Sequence, residues 1–119
     1  MYRITVKNHF SAAHHLRNYN GDCENVHGHN WEVEVTVKYE KLSEDGISMD
    51  FRDLSAVMEE ITGGLDHMDL NTIEYFRKKN PTSENIAEYI YKAIKGKGVP
   101  VESVKVSETP RYFAIFSED

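Results

Sequence analysis

The chain has 119 residues and a mass of 13.7 kDa, which is enough for one domain, residues 1–119, around one core. Hydrophobic residues make up 39%, charged residues 29%, and mean hydropathy is −0.60, a composition that excludes a disordered chain and a membrane-spanning one. Fourteen Lys+Arg against twenty Asp+Glu give a net charge of −6, without the basic surface that nucleic acid requires of a partner.

The opening MYRITVKNHF alternates and carries no signal-peptide core, which predicts a cytoplasmic protein with no membrane partner. Tyr2, Ile4, Val6 and Phe10 share one face and Arg3, Thr5, Lys7 and His9 the other, so Tyr2 to Phe10 is predicted as a strand. From His27 to Glu40 the same period returns, with Trp31, Val33, Val35, Val37 and Tyr39 on one side. Asp45-Gly46 signals a hairpin turn, so Ile47 to Met49 is expected to return as a short antiparallel partner.

Helical spacing then takes over at Leu54, Val57, Met58, Ile61 and Leu65, between a cap at Asp50 and a stop at Gly63-Gly64. A second helix starts at Thr82 or Ser83 and runs through Ile86, Ile90, Ala93 and Ile94 to Gly96. Val104 to Ser107 and Tyr112 to Phe116 read as two closing strands about Thr109-Pro110. This order predicts an α+β fold, an antiparallel sheet with helices on one face.

Five of the six histidines fall within 21 residues, around the only cysteine, Cys23. A single cysteine excludes an internal disulfide and suits a reducing compartment. In a strand, residues two apart point the same way, so His27 and His29 can reach one point, with Gly28 between them allowing the backbone to bend or be approached closely. His14 or His15 supplies a third imidazole. Three neutral imidazoles with one open position are a catalytic zinc arrangement. Cys23 lies in a polar loop, where it serves either as base or nucleophile or as a fourth ligand closing the site. Asp66-His67 follows the first helix and can face a cleft from a turn. Glu108 ends the apolar row Val104, Val106, and a carboxylate there suits a ligand edge with adjacent N–H donors.

FSAAHHL, CENVHGHNW, MDFRDL, LDHMDLN, NPTSEN and VSETP stand in the order and spacing of the 6-pyruvoyl tetrahydropterin synthase and 6-carboxytetrahydropterin synthase family, which the chain resembles over about its whole length. Its shortness is similar to the carboxy-producing bacterial members of the queuosine (7-deazaguanine) pathway. The resemblance implies a tunnelling fold with a four-stranded antiparallel sheet and two helices per subunit, trimers closing a twelve-stranded barrel, and two trimers stacked as a homohexamer. It implies Zn²⁺ on His14, His27 and His29, and 7,8-dihydroneopterin triphosphate as substrate. Cys23 matches the catalytic cysteine, Asp66 and His67 the pair completing a proton relay, and Glu108 the residue gripping the pterin ring. Thr82 and Ser83 match positions lining the pterin pocket of a neighbouring subunit.

One departure is Glu24, directly after the cysteine. Relatives with a glutamate replacing the cysteine release 6-hydroxymethyldihydropterin for folate synthesis, and sequences with both residues resemble a dual-function subgroup. Glu24 is therefore a candidate second acid/base, or else a solvated carboxylate. A pyruvoyl-forming synthase and a non-catalytic pterin- or metal-binding homologue are the alternative functions.

Overall fold

The structure is a computed structural model and describes residues 1–18 and 24–119. Two 13-residue strands, β1 (Tyr2–His14) and β2 (His27–Tyr39), pair antiparallel along their full length, from Tyr2 opposite Tyr39 to His14 opposite His27. β4 (Val101–Thr109) adds to the other edge of β2, and β5 (Tyr112–Phe116) returns against β4. A two-residue strand, β3 (Met68–Asp69), lies parallel to β1 at Ala12 and Ala13. The order is β3-β1-β2-β4-β5.

The expected four-stranded antiparallel sheet is thus four long antiparallel strands plus a short parallel fifth. Ile47–Met49 is not the extra strand. The Asp45-Gly46 turn does form, with Gly46 at φ +79° and Ser43 N–H donating to the Ile47 carbonyl at 2.9 Å. Both edges of β2 are already taken by β1 and β4, so a returning segment has no ladder to join. The first strand also continues beyond Phe10 to His14, because Ser11 to His14 keep pairing with Asn30 to His27.

Helix α1 (Phe51–Gly63) starts where the Asp50 side chain accepts the Arg52 N–H, and Gly64 ends it. Helix α2 (Ser83–Lys95) is capped by Thr82, whose hydroxyl accepts the Asn85 N–H, and ends at Gly96. α1 packs on β1 and α2 on β4 and β5, both on the face carrying Phe10, Trp31, Val33, Val35, Val104 and Val106, all of them buried. Leu54 and Met58 of α1 and Ile86, Ile90 and Ile94 of α2 close this core. Each such side chain contributes about 1.5–3 kcal/mol on burial, so the two-residue period of the strands decides which face the helices cover. The opposite face presents Arg3, Thr5, Lys7, His9, Glu32 and Lys38. Among the described residues no helix is long and apolar enough to cross a membrane.

Candidate active site

The apolar face ends in a polar corner. His14 closes the inward row of β1 after Phe10 and Ala12, while His27 and His29 begin the inward row of β2 before Trp31. Register makes His14 and His27 direct partners, with ring centroids 4.7 Å apart; His14–His29 and His27–His29 are 5.3 and 4.9 Å. From β4, Glu108 joins them, its Oε1 3.3 Å from His14 Nε2 and 2.9 Å from His29 Nε2. One ligand atom from each of these four residues lies within 4.8 Å of every other.

Each ring is aimed by its surroundings. His14 is buried, and its Nδ1–H donates to the Pro81 carbonyl at 2.8 Å, just before α2. His27 Nδ1–H donates to the Asn25 carbonyl at 2.9 Å. A carbonyl can only accept, so both rings carry their proton on Nδ1 and offer the Nε2 lone pair. Trp31 forms the floor, edge-on to His14 and His29, with its indole N–H held by the Ala12 carbonyl. Burial, reinforced by the two neighbouring imidazoles, pulls the His29 pKa down against the opposing pull of Glu108, keeping the ring neutral. His14 Nε2 and His29 Nε2 are buried and, although Glu108 Oε1 lies close to both, neither makes a well-formed hydrogen bond among the described residues. Inward-facing imidazole nitrogens beside a carboxylate are the donor set of a divalent cation, and zinc fits it.

His29 also lines an open cleft of about 490 Å³ with Ser11, Gly28, Asn30, His67 and Asp69. Asp66 and His67 meet in a pair of their own, Asp66 Oδ2 3.0 Å from His67 Nδ1, although adjacent residues seldom face each other. His67 achieves this with φ +59°. Ser11 braces the turn from both sides, its N–H donating to Asp66 Oδ1 and its carbonyl accepting the His67 N–H. That backbone bond, more than the charge of His67, holds the Asp66 carboxyl below its usual pKa.

The remaining candidates fall into different positions. Glu108, which the resemblance matches to the residue gripping the pterin ring, lies beside the His14 and His29 imidazoles. Thr82 spends its hydroxyl on the α2 cap, with Ser83 beside it in the first turn. Glu24 is partly buried and accepts the Leu16 N–H through Oε1. Cys23 lies outside the described residues. Among the described residues Gly28 makes no close approach, since a Cβ there would meet only the Ala12 carbonyl, at 3.9 Å. His15 and His9 stand apart from the cluster. Trp31 and Pro81 were missed as site residues: the tryptophan reads as core from its alternation, and a carbonyl leaves no trace in residue type.

Residues 3–119 match the family described as 6-pyruvoyl tetrahydropterin synthase. A 6-carboxy-5,6,7,8-tetrahydropterin synthase from Synechocystis is 38% identical, over 88% of this chain and 88% of its own. A human 6-pyruvoyl tetrahydrobiopterin synthase is 39% identical over 81% and 70%, and a dihydroneopterin monophosphate aldolase from Pyrococcus furiosus 38% over 78% and 75%. The solved Caenorhabditis elegans 6-pyruvoyl tetrahydropterin synthase superposes with a TM-score of 0.83 at 25% identity, covering 100% of this chain and 98% of that one. The tunnelling fold and the histidine corner thus occur together in a chain matched from end to end, and it belongs to the 6-pyruvoyl tetrahydropterin synthase family.

Proposed function

We propose that the protein is a zinc-dependent lyase, a 6-carboxy-5,6,7,8-tetrahydropterin synthase that converts 7,8-dihydroneopterin triphosphate to 6-carboxytetrahydropterin with loss of acetaldehyde and triphosphate. The observation that carries this reading is the convergence of His14, His27 and His29 on one point, in a chain related to enzymes of that name. The pathway it serves is queuosine formation in the cytoplasm.

His14, His27 and His29 hold the metal. The chemistry supplied by zinc bound there is acidification of a coordinated hydroxyl and stabilisation of negative charge developing on oxygen. Cys23 and His67 move the side-chain protons. Asp66 fixes the imidazole by taking its Nδ1–H, which leaves Nε2 to accept or return a proton. Glu108 binds the N–H edge of the pterin ring and so presents the side chain in one orientation. Thr82 and Ser83 line the pocket of the adjoining subunit.

The assembly is a hexamer of two trimers, each closing a twelve-stranded barrel. Its support is the open edges. β3 covers only Ala12 and Ala13 of β1, and β5 ends the sheet with Phe113 and Ile115 exposed.

Mass spectrometry of the products, with zinc measured on the same sample, tests the function. Release of 6-carboxytetrahydropterin and acetaldehyde is the expected result. A metal-loaded enzyme that forms only the pyruvoyl or hydroxymethyl pterin overturns it in favour of the sister activities.

A further inference from the structure

Past His14 the chain leaves the sheet, yet the backbones of the next three residues, His15, Leu16 and Arg17, stay paired. His15 N–H donates to Asn71 Oδ1 at 3.0 Å, and Asn71 Nδ2 donates back to the His15 carbonyl at 3.0 Å. Two residues on, Arg17 N–H donates to Asn80 Oδ1 at 2.9 Å, and Asn80 Nδ2 donates to the Arg17 carbonyl at 3.0 Å. Leu16 faces the other way. Its N–H donates to Glu24 Oε1 at 3.0 Å and its carbonyl accepts the Glu24 N–H at 2.9 Å.

Alternate residues bonding to opposite sides is the ladder of an extended strand. Here two amide side chains and one glutamate replace the neighbouring strands. The replacements are themselves anchored. The Asn80 carbonyl accepts Asn85 Nδ2 of α2 at 2.8 Å, and Asn71 N–H donates to Asp69 Oδ1 at 3.1 Å. The Arg17 guanidinium adds bonds to the carbonyls of Phe76, Arg77 and Lys79. The bonds of Glu24, Asn71 and Asn80 to the backbone are partly buried, where a lost partner is not fully replaced by water.

We propose that Glu24, Asn71 and Asn80 are positioning residues that carry the geometry of β1 beyond His14 and set where the chain enters and leaves segment 19–23, which contains Cys23. The proposal rests on the function given above. It deepens that function by assigning Glu24 to the backbone of Leu16 instead of to the substrate.

The test compares Glu24→Gln, Glu24→Ala and Asn80→Ala in the full-length, zinc-loaded protein. Glu24→Gln keeps the oxygen that accepts the Leu16 N–H and removes the charge, so its kcat and KM stay within about twofold of wild type. Glu24→Ala and Asn80→Ala lose about tenfold in kcat with KM changed by less than about twofold, and hydrogen exchange at the Leu16 and Arg17 amides, respectively, quickens by about tenfold. Equal losses in the Gln and Ala variants would show that the carboxylate charge itself acts, and overturn the proposal. Wild-type kcat and amide exchange in the Ala variants would overturn it as well. Should Asn80→Ala fail to fold through its tie to α2, the two Glu24 variants decide alone. A wild-type protein releasing no pterin product refutes the reaction, while the amide exchange rates still judge the clamp.

Discussion

An imidazole ligates only when it is neutral and its lone pair is aimed, and at this site two backbone carbonyls do the aiming. Removing one ring therefore breaks the set: His27→Ala is expected to bring bound zinc from about one per chain to near zero by elemental analysis. Glu108 stands close enough to be a ligand itself, so its variant separates two roles. With Glu108 as the pterin anchor, Glu108→Gln keeps its zinc and raises KM by about tenfold or more; loss of zinc would make Glu108 a ligand. Asp66 sets the acid behaviour of its turn. Its folded pKa lies below the unfolded value of about 3.9. The stabilisation is therefore complete above that value and is lost as pH falls through the folded pKa. Asp66→Asn is accordingly less stable than wild type at pH 7, and the gap closes as pH falls through the folded Asp66 pKa, in urea titrations at each pH.

At the scale of elements, α2 matters to the site through its start. Thr82 caps the helix, and Pro81, one residue earlier, gives its carbonyl to His14. Thr82→Ala is expected to cost about 1 kcal/mol in chemical denaturation, and Thr82→Ser to recover most of it. Fraying that first turn also loosens the Pro81 carbonyl, so Thr82→Ala should bind zinc more weakly than Thr82→Ser. Cap and helix were legible as Thr82-Ser83 followed by a 3.6-residue apolar period. The bond to His14 was not, because a proline's carbonyl carries no side-chain signature. Strand length was likewise under-read: Ser11 to His14 lack the apolar alternation of Tyr2 to Phe10, and pairing with β2, joined by β3 at Ala12 and Ala13, keeps them extended.

At the scale of the molecule, the proposed substrate is a triphosphate while the chain carries a net charge of −6. Lys79 pairs with Glu88 and Arg77 with Glu74, which makes a neighbouring subunit the natural source of positive charge in the proposed assembly. In that assembly the exposed edge strand β5 is where such a neighbour would attach. Ile115→Lys, which places a charge on that edge, is expected to reduce the assembly to smaller species in sedimentation and to lower activity in parallel. Retention of full assembly would place the interface elsewhere.

Alternation and helical period in the sequence by themselves determined the α+β order, the helix caps, the apolar face and the candidacy of each polar residue, because these depend on neighbours within a few positions. The motifs FSAAHHL, VHGHN, LDHMD and SETP likewise named the residues of the site, and they lie far apart along the chain. Only the tertiary structure decided how those residues meet. The β1–β2 register selects His14 over His15, and β4 brings Glu108 in against the imidazoles from the far side of β2. Saturation of both edges of β2 moved the fifth strand from Ile47–Met49 to Met68–Asp69, and a left-handed His67 let adjacent residues pair. Each of these outcomes is a pairing between distant segments, and no local pattern encodes a partner.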